Sequence, residues 1–170
     1  MLPKSLFMLI QSGEGETLDF KKTITSARKI AKTMVSFANH KGGKLLVGVN
    51  DNKTISGIRS EEEKYMLEMA AGFFCKPPIP IQIREWMAEG KTILEVDIPI
   101  GEQAPYMAQD EQGHWWAYIR VKDESIMASK VMVDVLRRRT TGTPGKITYS
   151  SKEKALFRIQ YRGTVRALHR

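Results

Sequence analysis

One stretch near the N-terminus, TSARKIAKTMVSFANHKGGKLLVGVN (residues 25–50), constrains the fold most strongly. Its apolar residues recur every three or four positions as far as Phe37, the spacing of an amphipathic helix packed on a core. Gly42 and Gly43 end that helix, because glycine readily adopts the positive φ of a helix C-cap. The apolar run that follows is short and nearly unbroken, as in a strand buried on both faces. The stretch therefore predicts a sheet with a helix packed against it.

Short alternating segments predict the rest of the sheet. Residues 17–22 alternate between apolar and polar side chains, which indicates a half-buried strand before the helix. Residues 81–86 and 92–98 alternate in the same way across a short connection, so they predict a β-hairpin. The segment TISGI (residues 54–58) is expected to return as a strand after the turn NDNK.

Two further helices are predicted, over residues 60–74 and 130–139, with Ser129 capping the second. Hairpins outnumber crossover connections in this order of elements. The fold class is therefore α+β, a mixed, largely antiparallel sheet with packed helices.

Length and composition indicate one domain at residues 1–140 and a basic C-terminal extension at residues 141–170, expected to be helical. No apolar run approaches the ~20 residues that span a bilayer, so no membrane association is expected. The apolar start lacks the small-residue cleavage site of a signal peptide. Cys75 is the only cysteine, which excludes a disulfide framework and fits a cytoplasmic location.

Positive charge is concentrated at the C-terminal end. The chain has 27 Lys and Arg against 19 Asp and Glu, a net charge of +8. From Leu136 onward ten Lys and Arg face one acid, so this end carries +9 and the preceding residues carry −1. The asymmetry indicates a polyanionic partner, DNA or RNA, because basic segments neutralise phosphates. A solvated tail that only aids solubility is the alternative.

Three carboxylates form the candidate catalytic and metal site: Glu14, Asp19 and Asp51. Side chains alternate along a strand, so Glu14 and Asp19 meet only if the chain turns at Gly13 and Gly15. If the strand carrying Asp19 lies beside the strand that precedes Asp51, the three carboxylates suit Mg²⁺ or Mn²⁺ and metal-assisted attack on a phosphodiester. Turn residues and surface ion pairs are the alternative interpretation.

A phosphate-binding loop is a weaker hypothesis. Gly42, Gly43 and Lys44 lack the G-x-x-x-x-G-K-[ST] spacing, and they follow a helix where a phosphate loop precedes one. The two glycines are better explained as a helix cap and a tight turn.

Several blocks in order resemble the Schlafen AlbA-like domain family. They are EGETLDFK (14–21), FANHKGG (37–43), LVGVND (46–51) and ISGI (55–58), followed by YIRV (118–121) and MAS (127–129). The likeness spans roughly residues 13–138. The sequence departs from the family pattern at Asp19, where Glu is usual, at Gly15, at Asn50 and at Lys122.

The resemblance implies an α+β fold with a mixed sheet and a DNA-binding protein of the transcriptional-regulator kind. Some relatives carry an ATP-binding description, which this chain does not support with a phosphate loop. Vertebrate relatives are similar to metal-dependent ribonucleases that use three carboxylates, and these map onto Glu14, Asp19 and Asp51. Those nucleases clamp RNA between two lobes, so a chain of this length would need to form a homodimer.

The leading hypothesis is nucleic-acid binding, with metal-dependent RNA cleavage and ATP binding as alternatives. Trp115, Trp116 and Tyr118 are candidates for stacking on single-stranded bases, but their strand pattern predicts that about two of the three pack inward. Phosphate contacts are assigned to basic residues of the first helix region, the last strand and the C-terminal end: Lys21, Arg28, Lys32, Arg120, Arg137, Arg138, Arg139, Lys152, Arg158 and Arg162.

Overall fold

The computed structural model describes residues 2–59 and 61–141. The helices are α1 (Lys4–Ser12), α2 (Ala27–Ala38), α3 (Glu62–Phe73) and α4 (Lys130–Thr141). The strands are β1 (Leu18–Lys21), β2 (Gly43–Val47), β3 (Cys75–Lys76), β4 (Gln82–Ala88), β5 (Lys91–Ile98), β6 (Met107–Gln109), β7 (Trp115–Val121) and β8 (Glu124–Met127). The predicted extension, apart from its first residue, lies outside the described residues, and no helix within them is long and apolar enough to cross a membrane.

The strands form two four-stranded sheets. The first has the order β1-β2-β5-β4, in which β1 and β2 are parallel and the other pairs are antiparallel. The second has the order β3-β6-β7-β8 and is antiparallel throughout. The predicted fold class, α+β with a mixed and largely antiparallel sheet, is confirmed. The division into two sheets did not follow from the alternating pattern.

The first sheet is covered on both faces. On one face, α2 buries Ile30, Met34 and Phe37 in the main core, together with residues of β2, β5 and β7. On the other face, α1 buries Leu6 and Ile10 against a smaller cluster that includes side chains of β1 and β5. This two-sided burial explains why the β2 sequence is almost continuously apolar.

Helix α1 was not predicted from the sequence. It has nine residues and no acidic side chain in its first turn, so it would be marginal in isolation. Its helical conformation is stabilised by packing of Leu6 and Ile10, which are 4% and 2% exposed. Tertiary contacts therefore decide the structure of this segment.

The predicted return strand at residues 54–58 is wrong in extent. Only Val49 and Ile55 form a bridge, and no strand is assigned after the turn. Gly48 has a φ of 96° and Gly57 a φ of 75°, and a Cβ on Gly48 would approach the Gly57 backbone to 3.0 Å. The two segments cross closely at these glycines, which bends the chain out of a regular ladder.

The C-terminal end of α2 is anchored by the buried side chain of Arg139. The guanidinium of Arg139, on α4, donates to the carbonyls of Ala38, Asn39, His40 and Gly101. A cation at this end also interacts favourably with the helix dipole, because the last carbonyls of a helix are otherwise unsatisfied. Arg139 is 6% exposed, so it is a buried cap of α2 and does not lie on a phosphate-binding surface.

Replacing Arg139 with Met should lower the free energy of unfolding by about 3 kcal/mol or more, because buried carbonyls would lose a charged donor. Denaturant unfolding measures this loss. The matched control is Arg138→Met, an exposed neighbour on the same helix, with an expected loss of about 1 kcal/mol or less. Equal losses in the two variants would show that the cap contributes little.

Candidate functional site

Asp19 lies at the centre of the predicted carboxylate site. It is on β1, beside β2 as predicted, and is 4% exposed. Its Oδ1 accepts a hydrogen bond from Arg120 Nη2 at 3.1 Å. Its Oδ2 lies 3.3 Å from Lys21 Nζ, in an orientation that makes no hydrogen bond. The charge of Asp19 is therefore balanced from within the chain.

Arg120, expected to contact phosphate, is buried with 2% exposure. Besides Asp19, its guanidinium donates to the carbonyls of Gly15 and Leu18 and stacks on the ring of Phe37 at 4.8 Å. The side chain thus ties β7 to the segment around β1. The assignment of Arg120 to a phosphate-binding surface is corrected: it is a structural arginine.

The other two predicted carboxylates, Glu14 and Asp51, are less buried than Asp19. Glu14 Oε1 accepts a hydrogen bond from the Phe20 amide at 2.8 Å. Burial and the negative charges of Asp19 and Asp51 raise the pKa of Glu14 above its ordinary value, although the Phe20 amide acts in the opposite direction. Asp51 is exposed in the turn after β2. Glu14 is thus near enough to both Asp19 and Asp51 to be repelled by them.

This arrangement does not fit the predicted Mg²⁺ or Mn²⁺ site. Across residues 2–59 and 61–141, no three His, Cys, Asp or Glu side chains are placed to hold a metal ion. Arg120 donates to Oδ1 of Asp19, and the Lys21 ammonium lies 3.3 Å from Oδ2, so two cations already balance the charge that would attract a metal ion. Asp19 therefore acts here as the partner of an arginine.

The Gly42–Lys44 turn does not form a phosphate site either. The Lys44 ammonium lies 2.8 Å from Glu95 and 2.6 Å from Asp97. Burial works to lower the pKa of Lys44, but the hydrogen bonds with Asp97 and Glu95 outweigh it and raise that pKa. The turn also follows the C-terminal end of α2, where the helix dipole repels anions. The C-cap residue of α2 is Asn39, and Gly42 forms the predicted tight turn, with a φ of 73° and its amide donating to the Phe37 carbonyl at 2.8 Å.

The remaining basic candidates differ in their surroundings. Lys21 is half-exposed beside Asp19, and Arg137 is exposed and pairs with Asp134 at 3.3 Å. Arg138 is exposed on α4. Lys152, Arg158 and Arg162 lie outside the described residues.

A groove runs between the N-terminal half of α2 and the start of β7, and we call it the α2 groove. It has a volume of about 380 Å³. One wall carries three cations from α2: Arg28, Lys29 and Lys32. The other wall is formed by residues 110–112 with Trp116, Tyr118 and Met127. Lys29 and Met127 were not among the residues predicted to contact nucleic acid.

Trp116 is held in place at the edge of the α2 groove. It is 41% exposed, and its Nε1 donates to Asp110 Oδ2 at 2.8 Å. The ring of His114 meets its indole edge-on, with ring centroids 6.2 Å apart. Of the three aromatic candidates, Tyr118 is buried, Trp115 is half-buried and Trp116 is exposed. This agrees with the prediction that about two of the three pack inward.

The Asp110 carboxylate accepts hydrogen bonds from residues that lie close to it in the chain. Its Oδ1 accepts from the amides of Gln112 and His114, and its Oδ2 from Trp116. Burial tends to raise the pKa of Asp110, but these hydrogen bonds outweigh it and lower that pKa. Arg28 donates to the carbonyls of Asp110 and Glu111 and so ties the loop to α2. The turn-forming composition DEQGH was the only sequence signal for this loop.

A family model described as Schlafen, AlbA_2 matches residues 14–129, well over half of the chain. The chain belongs to this family. The match begins at Glu14 and ends at Ser129, so it contains both the carboxylate cluster and the α2 groove. No curated protein matches the sequence significantly.

One solved structure shares the fold of this AlbA_2 domain, and a second resembles it more distantly. The DIP2311 protein of Corynebacterium diphtheriae superposes with a TM-score of 0.57 at 18% identity, over 75% of this chain and 25% of that one. The chain thus spans about a quarter of the length of that protein. The N-terminal domain of an ATP-dependent DNA helicase RecG-related protein of Nitrosomonas europaea gives a TM-score of 0.46 at 17% identity, covering 65% of this chain and 78% of that domain.

Replacing Glu14 with Gln should raise the melting temperature at neutral pH. The folded-state pKa of Glu14 is raised, so its contribution to stability is present below about pH 4.5 and is lost as pH rises through the folded pKa. A neutral amide removes that cost and can still accept from the Phe20 amide. Thermal unfolding at neutral and acidic pH measures the gain, which should vanish at acidic pH.

The neighbouring Glu16→Gln variant is the control with the opposite sign. Burial acts to raise the pKa of Glu16, but pairing with Lys41 and His40 outweighs it and lowers that pKa. This carboxylate therefore stabilises the fold above its unfolded pKa, and the variant should melt lower at neutral pH. A Glu14→Gln protein that melts lower than the parent would contradict the assignment.

Proposed function

We propose that this AlbA_2 domain is a nucleic-acid-binding protein that grips phosphates along the α2 groove. Membership of the Schlafen AlbA_2 family suggests a nucleic-acid-related role. The observation that carries the proposal is the cationic wall of the groove facing an exposed, fixed indole. Phosphate contacts of this kind supply affinity that falls as salt rises.

The cations of α2 are unopposed on their own helix. Residues 27–38 contain Arg28, Lys29 and Lys32 and no acidic side chain. Two of these cations lie in the first turn, where the helix dipole disfavours positive charge. An anion bound there would offset both the dipole and the repulsion among the three side chains. The acids of the facing loop, Asp110 and Glu111, offset part of this charge, and the Asp110 carboxylate is already held by three donors.

The basic C-terminal end adds to the same function in this proposal. Arg137 and Arg138 are exposed on α4, and the sequence continues with Lys152, Arg158 and Arg162. A DNA-binding regulator is the finer assignment that we favour, because the family resemblance implies one. Few side chains are placed to distinguish bases, so the affinity would be largely electrostatic. Under this proposal the protein binds nucleic acid, either as a single copy or as a homodimer.

Replacing Lys29 and Lys32 together with Gln should weaken oligonucleotide binding and flatten its salt dependence. Each lost phosphate contact should reduce the slope of log K against log salt by about 1. Anisotropy titrations at several salt concentrations measure both quantities on the full chain. The control is Lys4→Gln with Lys91→Gln, which removes the same charge far from the groove. Equal effects of the two double variants would show that only net charge matters.

Metal-dependent RNA cleavage is the second candidate function. It is favoured by the proximity of Glu14 to Asp19 and Asp51, whose charges add to burial in raising the pKa of Glu14. Against it stands the pairing of Asp19 with Arg120 and Lys21, which leaves no fitting metal geometry. ATP binding at Lys44 has no comparable support, because Glu95 and Asp97 engage its ammonium.

We therefore expect wild-type protein and Asp51→Asn to leave a structured RNA equally intact in the presence of Mn²⁺. Gel analysis of the RNA after incubation with each protein checks this. Cleavage by the wild type that Asp51→Asn abolishes would show that the carboxylates rearrange around a metal, and would overturn the structural assignment of Asp19.

A further inference from the structure

We infer that the α2 groove selects single-stranded nucleic acid, with an unpaired base stacked on the indole of Trp116 and the adjoining phosphates held by Lys29 and Lys32. The inference rests on the proposed function and names its substrate class. It depends on three features of the groove: the fixed indole, the place of the two lysines, and the size of the opening.

The indole of Trp116 is already held in position for stacking by contacts within the protein. Its Nε1–H is fixed on Asp110 at 2.8 Å, and His114 packs against it at an interplanar angle of 78°. The contact with Asp110 limits rotation of the side chain, so stacking costs little conformational entropy. A tryptophan held in this way but 41% exposed leaves apolar ring surface available to a planar partner.

Lys29 and Lys32 line the same groove as the Trp116 indole. The Lys32 ammonium sits 5.6 Å from the centroid of the Tyr118 ring, and Tyr118 is two residues along β7 from Trp116. Because alternate residues of a strand share a face, Trp116 and Tyr118 face the same side, toward α2. A base on Trp116 therefore places its phosphate beside the basic wall.

The geometry favours a single strand over a duplex. A base inside a duplex is stacked on both faces and cannot present its ring to a protein side chain, whereas unpaired bases can. The opening of about 380 Å³ is small, and part of one wall is the loop of residues 110–112, which Arg28 fastens to α2. Stacking also tolerates any base, which fits a site with few groups placed for base recognition.

Asp110 is a positioning residue in this scheme. It does not face the ligand with an open carboxylate, because Trp116, Gln112 and His114 all donate to it. Replacing it with Asn should loosen the indole and weaken single-strand binding. Its effect should be smaller than that of removing the indole, and restoring an acid by Asp110→Glu should recover part of the loss.

The test compares a short single strand with the duplex of the same sequence, by anisotropy on the full chain. Wild-type protein should bind the single strand more tightly. Trp116→Ala should weaken single-strand binding by about five- to a hundredfold, the range for one stacked base, and should leave duplex binding and the salt slope unchanged. Trp116→Phe, which keeps an aromatic face, should recover part of the loss.

A second measurement does not depend on the stability of Trp116→Ala. The chain has three tryptophans, so Trp86→Phe with Trp115→Phe leaves Trp116 as the only emitter. Its fluorescence should be quenched by the single strand and unaffected by the duplex. Unchanged emission with bound single strand would overturn the stacking, and would point to a protein partner for the exposed indole.

The outcomes separate this inference from the proposed function. If Lys29→Gln with Lys32→Gln weakens binding but Trp116→Ala does not, the groove binds phosphate and the stacking is wrong. If neither variant weakens binding, both the inference and the proposed function fail. Equal weakening of single strand and duplex by Trp116→Ala would overturn the selectivity.

Discussion

The rest of the structure depends on the hydrogen bonds by which buried polar side chains hold the C-terminal end of α2 in place. Asn39 donates to the carbonyls of Tyr106 and Tyr118 and accepts from the Tyr106 amide at 2.7 Å, so it fastens α2 to the second sheet. Arg139 fastens the same end to α4. Buried polar groups that are all satisfied define one arrangement, because an unpaired one would cost the full desolvation penalty. With α2 fixed along β7, Trp116 and Tyr118 fall beside its cations.

Buried and paired cations also explain why net charge alone is a poor guide to the binding surface. Arg120 and Arg139 count as positive charges in the sequence, yet both are buried and occupied with Asp19 or with helix carbonyls. Lys44 is likewise occupied by Glu95 and Asp97. Among the described residues, the cations that the proposed function assigns to phosphate contacts are those of α2 and the exposed Arg137 and Arg138 of α4. The body of the protein is nearly neutral in sum, but its outer charge is unevenly distributed.

The sequence predicted the fold class, α2, the β4–β5 hairpin and α4 with its Ser129 cap, because each has a strong local pattern or turn signal. It did not predict α1, whose helix depends on packing against the first sheet, nor the division into two sheets. The carboxylates were placed in the right neighbourhood, since β1 does lie beside β2. Their pairing with Arg120 was not foreseen, because that arginine is 101 residues away from Asp19 in the chain. The Asp110–Trp116 contact was missed for a similar reason, as a loop hydrogen bond has no periodic signal.

The most direct test of the account is a map of the amides perturbed when a short single-stranded oligonucleotide is added to ¹⁵N-labelled protein. The account predicts shifts concentrated in the first half of α2 and in the segment from Asp110 to Tyr118, which together form the groove. Perturbations confined to residues 142–170, with α2 and Trp116 unchanged, would contradict it and would place all nucleic-acid binding in the basic C-terminal segment.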